Sequence, residues 1–125
     1  MVFDWAKYLA LAEELGTRSS DEASLRSAVS RAYYAAFCTA RNHLLQDGED
    51  IPKTGEAHIT VWTKYRESAH RDRKMIGTTG DRLRRARNKA DYDDEFPEIS
   101  ATAEDAIAKA RRLLDSLGAL DSDEH

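Results

Sequence analysis

The chain is expected to fold as an all-α, up-and-down bundle of four or five helices, on three observations. The composition is rich in Ala, Leu, Arg, Glu and Asp with only 2 Pro and 6 Gly, which favours helix over turn or strand. Apolar residues recur at spacings of three and four along most of the chain, and no stretch shows the strict alternation of a half-buried strand. Polar and glycine-containing breaks fall between the apolar stripes, and short connections of that kind join neighbouring helices of a bundle. At 125 residues the expectation is one domain, residues 1–120, with a frayed polar tail at 121–125.

The first helix is expected from Asp4, a plausible cap, to Leu15, with Trp5, Leu9, Ala12 and Leu15 on its apolar side and Gly16 just beyond its end. The second and longest runs from about Asp21 to Gln46, with Ser20 or Asp21 as cap and Gly48 where it should stop. Leu25, Ala28, Val29, Ala32, Tyr33, Ala36, Phe37, Ala40 and Leu44 form one continuous stripe on it. The many alanines allow close approach of a neighbour, so this is the central helix. Tyr34, Cys38, Arg41 and Leu45 make a second flank, suited to a further helix or a subunit partner.

After the loop Asp47–Gly55, a third helix is expected from Glu56 to Ala69, burying Ile59, Trp62, Tyr65 and Ala69. His70–Gly80, with two glycines, reads as an irregular connection anchored by Met75 and Ile76. The fourth helix then starts near Asp81, a plausible cap, and breaks at Asp94–Pro97, with Leu83, Ala86 and Ala90 as its apolar contacts. The last, about Ser100 to Leu117, carries Ala103, Ala106, Ile107, Ala110, Leu113, Leu114 and Leu117.

The net charge of −4 argues against a general nucleic-acid coat protein. Roughly half of the Lys and Arg nevertheless lie between Lys64 and Lys89, and the segment after Asp91 is acidic, so a local anion site is compatible with the sequence. A single cysteine, Cys38, excludes an internal disulfide and fits a reducing compartment. The N-terminal stretch lacks the basic region of a signal peptide, and no apolar run approaches the ~20 residues that span a bilayer. A cytoplasmic location with no membrane contact is expected.

No metal or cofactor is expected either. His43, His58, His70 and His125 share no paired spacing on one helix, and His58, in the first turn of the third helix, reads as exposed. Gly77-Thr78-Thr79-Gly80 lacks the strand and the Lys-Ser/Thr ending of a phosphate loop and reads as an ordinary connection.

The stretch with most chemistry is RLRRARNKADYDD, Arg82–Asp94. Residues four apart share a helical face, so Arg87 pairs with Asp91, and Asn88 shares a side with Tyr92, Arg84 and Arg85. Tyr92 lies five residues past Arg87, about 140° around an ideal helix. The two meet at one site only where the helix frays or where a second subunit completes it.

Two segments, SAVSRAYYAAFCTARNHLL (Ser27–Leu45) and LRRARNKADYDD (Leu83–Asp94), resemble the HEPN family of small helical domains, in particular its bacterial and archaeal branch ending in R-N-x-A-D-Y. The resemblance covers most of the chain in helix order and length. It implies a bundle that commonly forms homodimers, with the motif helices of two subunits bordering a shared cleft. Many such proteins are metal-independent ribonucleases in which the RNA 2′-hydroxyl is the nucleophile and an arginine, a polar residue and a later histidine form the motif. Several are toxins paired with a minimal nucleotidyltransferase antitoxin.

Carried over, Arg87 matches the motif arginine and Asn88 the polar residue, while the histidine position is occupied by Tyr92. The resemblance thus implies Arg87, Asn88 and Tyr92 as the catalytic set, with Arg84, Arg85 and Asp91 in ligand binding. A tyrosine hydroxyl ionises only near pH ~10, so it is a poor general base, though it can hydrogen-bond a phosphate. A tyrosine that some toxins carry two residues later, and that the antitoxin modifies, corresponds here to Asp94. The expectation is an RNA- or nucleotide-binding protein, possessing a degenerate ribonuclease site, in a toxin–antitoxin or nucleotidyltransferase-linked system. An active metal-independent ribonuclease and a non-catalytic homodimeric interaction protein are the alternatives.

Overall fold

The computed structural model describes residues 2–123 and contains five α-helices and, among those residues, no strand. They are α1 (Lys7–Gly16), α2 (Glu22–Gln46), α3 (Ala57–Arg66), α4 (Arg71–Tyr92) and α5 (Ile99–Asp123). The all-α bundle expected from the sequence is the observed fold.

α2 is the centre, packing against all four other helices, while α3 lies chiefly on α4 and α5 closes against α1, α2 and α4. Its ends are set locally. Asp21 accepts hydrogen bonds from the Ala23 N–H (3.1 Å) and the Ser24 hydroxyl (2.7 Å), an N-cap that holds the Asp21 carboxyl below its ordinary pKa. At the other end Gly48 takes a φ of 87°, which favours glycine. All nine residues of the expected stripe are buried, because alanines alternating with larger side chains let α4 and α5 approach closely. Cys38 on the second flank is buried too, and that burial raises its thiol pKa. Next to it, Trp5 and Tyr8 from the α1 end border the Tyr34–Arg41 edge of α2.

Several sequence expectations are corrected. The segment 70–80 is not an irregular connection: α4 begins at Arg71 and runs unbroken through Gly77 and Gly80. The glycines are there for contact. A Cβ on Gly80 would stand 2.2 Å from Trp62 Cε3, and one on Gly77 would stand 2.6 Å from the Arg66 backbone nitrogen. α3 and α4 therefore touch backbone to side chain, and Asp81 is a mid-helix residue, not a cap. Ile76 is buried as an anchor, whereas Met75 is 59% exposed.

On α3 the buried residues are Ala57, Val61, Trp62 and Tyr65, while Ile59 and Ala69 are exposed and the helix stops at Arg66. At about 100° per residue, Val61, Trp62 and Tyr65 define a face from which Ile59 points well away. The Tyr65 hydroxyl fixes that face by donating to the Ala40 carbonyl on α2 (2.9 Å). Gly16 is the last residue of α1 and not the one beyond it. α5 continues past Leu117 to Asp123, so Asp121–Asp123 of the expected frayed tail are helical, and Glu124 and His125 lie outside the described residues.

Candidate functional site

On the second half of α4 the inward positions are Leu83, Arg87 and Ala90, spaced i, i+4, i+7. Arg87 thus takes a place where a bundle ordinarily puts an apolar side chain. It is 9% exposed, and burying a cation there costs several kcal/mol unless the surroundings compensate. Two devices do so. The guanidinium lies over the rings of Tyr33 and Tyr34 on α2, with Cζ 5.2 and 5.5 Å from their centroids. Its Nη1 is 3.4 Å from Asp91 Oδ2, the i,i+4 pair expected from the sequence. The compensation is incomplete, because Arg87 Nε is buried with no hydrogen-bond partner. An unmet buried donor is costly, about 1–3 kcal/mol.

Tyr33 leads from this arginine to a histidine. Its hydroxyl is 2.7 Å from His58 Nδ1 on α3, and Trp62 Nε1–H donates to the same hydroxyl at 3.1 Å. Trp62 can only donate, so the Tyr33 oxygen accepts from it and the Tyr33 hydrogen goes to His58. His58 therefore accepts at Nδ1 and carries its proton on Nε2, the edge away from Tyr33. The opposite tautomer would leave a fully buried tyrosine hydrogen unmatched. Burial also pushes the Tyr33 hydroxyl well above the ordinary tyrosine pKa. His58 is held below 6.5 by its own desolvation first, then by the charges of Arg87 and Arg84. At neutral pH it is an uncharged hydrogen-bond donor.

His58 was expected to be exposed. It is half-buried, stacked on Phe37 at 4.2 Å between centroids and 19° between planes. The signal that locates it is the phase of α3. Taking Val61, Trp62 and Tyr65 as the inward face puts position 58 on that same face, three, four and seven residues back. Reading Ile59 as buried turns it outward.

The other residues marked from the sequence are dispersed. Arg84 and Arg85 belong to a second cluster centred on Asp81, which is 8% exposed. Asp81 binds Arg84 at 3.0 Å, Arg85 at 3.2 Å and Arg66 of α3 at 3.8 Å. Arg84 and Arg85 are thus engaged with Asp81 within α4, while Arg66 is the arginine that ties α3 to this cluster. Asn88 is half-buried beside Arg87 in sequence, and Tyr92 is 74% exposed. Since α4 is helical through Tyr92, the single chain does not bring Tyr92 to Arg87.

The end of α4 is fastened by Arg26 of α2, whose Nη1 donates to the carbonyls of Ala90 (3.0 Å) and Asp93 (2.6 Å). A cation at a helix C-terminus meets its unsatisfied carbonyls and its dipole at once. Among the described residues no group of three or more His, Cys, Asp or Glu is placed to hold a metal ion. No helix among them is long and apolar enough to cross a membrane.

Chemically the site can act as an anion receptor: a buried guanidinium over two tyrosine rings that are inclined 69° to each other, an imidazole with its N–H on Nε2, and Phe37 stacked on that imidazole. Neither the curated proteins nor the solved structures yielded a match to the chain. A family model for the HEPN domain matches residues 7–120, from the first residue of α1 to near the end of α5. That span covers every helix that builds the site, and the chain belongs to the HEPN domain family.

Proposed function

We propose that this protein binds a phosphate-bearing ligand, RNA or nucleotide, at the site formed by Arg87 and His58, with Asn88 at its edge. The observation that carries the reading is the Arg87 guanidinium at a core position of α4, over two tyrosine rings and paired with Asp91 only through a long 3.4 Å contact at Nη1. A phosphate oxygen is the natural complement, because guanidinium offers several coplanar donors to it. Membership of a nucleotide- and RNA-related, ribonuclease-like family supports the same ligand class.

Binding is favoured over cleavage. A general base needs a free lone pair at neutral pH. His58 has committed its lone pair to the Tyr33 hydroxyl, and Asp91, the carboxylate beside Arg87, is engaged by that arginine. The site offers donors and little to accept a proton, as expected of a degenerate ribonuclease site. The R-N-x-A-D-Y resemblance extends the proposal to a homodimer in a toxin–antitoxin or nucleotidyltransferase-linked system.

The test is binding of labelled single-stranded RNA and of a nucleotide by wild type and Arg87→Ala, with sizing chromatography alongside. The proposal expects Arg87→Ala to lose more than tenfold in affinity at unchanged oligomeric state, with RNA left intact in EDTA. Unchanged binding with a weakened dimer would show instead that the motif helix serves an interface. RNA cut in EDTA by wild type but not by Arg87→Ala would replace binding with active ribonuclease. Co-purification with the product of a neighbouring reading frame tests the partner.

A further inference from the structure

Two clefts meet on the flank of α2 and share Phe37 and Arg41 as a common wall. One lies between α2 and the start of α1, where Arg31 sits against Tyr8 and Tyr34, with Cζ 5.1 and 5.8 Å from the ring centroids. The other, about 340 Å³, lies under the loop before α3 and reaches Lys53 and His58. Arg41 stands between them, 5.8 Å from the Trp5 centroid and 6.0 Å from that of Phe37.

The charges on this flank differ from those elsewhere. The chain contains 23 Asp and Glu, yet neither cleft is lined by a carboxylate. Among the described residues, Arg31, Arg41 and Lys53 have no carboxylate within ion-pair distance, whereas Arg73 is paired with Asp47 and Arg111 with Glu13. An overall acidic protein thus keeps three unneutralised cations on one aromatic face. The same rings connect this face to the receptor above: Tyr34 touches Arg31 and Arg87, and Phe37 touches Arg41 and His58.

We infer that this α2 flank is a track for single-stranded RNA, extending the Arg87 site to several consecutive phosphates. The inference rests on the reading of Arg87 as a phosphate ligand and selects a strand over a mononucleotide. Arg31 and Arg41 are ten residues apart on one helix, about 15 Å along its axis, too far for one phosphate group to reach both. Each guanidinium lies over aromatic rings with no carboxylate of the described residues beside it, Arg41 donating its Nε–H to Asn42 Oδ1 (3.1 Å), and bases can stack on the adjoining rings. A second copy of the chain is a poorer occupant, because a two-fold interface would set these same unpaired cations against themselves.

The test is fluorescence anisotropy on the full chain with labelled uridine monophosphate, triuridylate and octauridylate, repeated over a range of salt. Affinity is expected to rise at least tenfold from the monophosphate to the octamer. The double variant Arg31→Gln/Arg41→Gln should flatten that rise and reduce the log–log salt slope for the octamer by about 1.4, at ~0.7 per phosphate contact in single strands. A charge-preserving pair, Arg31→Lys/Arg41→Lys, keeps most of the slope and guards against a folding artefact, with helical circular dichroism as control.

Equal affinity for monomer and octamer overturns the inference, as does a Gln pair with the wild-type slope. A Gln pair that becomes monomeric while its RNA slope stays unchanged also overturns it, and makes the flank a subunit interface. If Arg87→Ala binds the octamer normally while the Gln pair does not, the track stands and the Arg87 reading fails.

Discussion

Replacing Gly80 by alanine tests the contact on which the site geometry depends. By intrinsic propensity the change should help, since a glycine inside a helix is worse than alanine by about 1 kcal/mol. The structure reverses the sign. The new methyl would fall 2.2–2.4 Å from three ring carbons of Trp62, against an ordinary contact of about 3.4 Å or more. Trp62 is fully buried and its N–H is tied to Tyr33, so the ring has nowhere to swing. Relief requires α3 and α4 to separate by about 1 Å, an overpacking cost at the upper end of the ~1–3 kcal/mol range.

Net of propensity, Gly80→Ala should destabilise by about 2 kcal/mol and lower Tm by about 8 °C for a chain of this size. Gly118→Ala is the internal control. It lies in α5 with nothing within 4 Å of its added Cβ, so it should gain ~0.5–1 kcal/mol. Urea and thermal melts of both variants measure the difference. If Gly80→Ala proved as stabilising as Gly118→Ala, the close α3–α4 contact would be refuted, and with it the placement of Trp62 and His58.

Other expectations follow from the same geometry. Tyr33→Phe deletes the hydroxyl between Trp62 and His58, leaving the indole N–H unmet; a loss of about 1–3 kcal/mol is expected by denaturant melts, with weaker RNA binding. His58 has a folded pKa below its unfolded 6.5, so the unfolded chain binds more protons between the two values. The neutral-His58 contribution to stability is complete above pH ~6.5 and is lost as pH falls through that window. His58→Gln should remove this part of the pH dependence, and parallel wild-type and variant curves from about pH 7.5 to 5.5 would exclude it. Asp81→Asn takes the countercharge from Arg66, Arg84 and Arg85 and should cost about 2–3 kcal/mol, below a fully buried pair because two of the arginines are well exposed. The same variant releases Arg84 and Arg85, so its RNA affinity at low salt should rise, which filter binding would show.

What the sequence determined by itself is local. The α2 stripe, its Asp21 cap and its Gly48 stop were legible because apolar spacing, cap chemistry and a left-handed stop are written within a few residues of where they act. The Arg87–Asp91 pair was legible for the same reason, being one helical turn long. The tertiary structure decided the rest. Gly77 and Gly80 looked like breaks because nothing near them in sequence reveals that Trp62 will press against their bare backbone. Asp81 looked like a cap because it follows those supposed breaks, and nothing near it in sequence reveals its ion pair with Arg66 on α3. Most consequential is His58. A short helix with apolar residues on two sides, Ile59 and Val61, leaves its inward phase ambiguous, and only the docking of Trp62 and Tyr65 onto α2 turns the imidazole toward Tyr33. Periodicity fixes which residues share a face; packing against the other helices fixes where that face looks, and that is what places His58 in the site with Arg87.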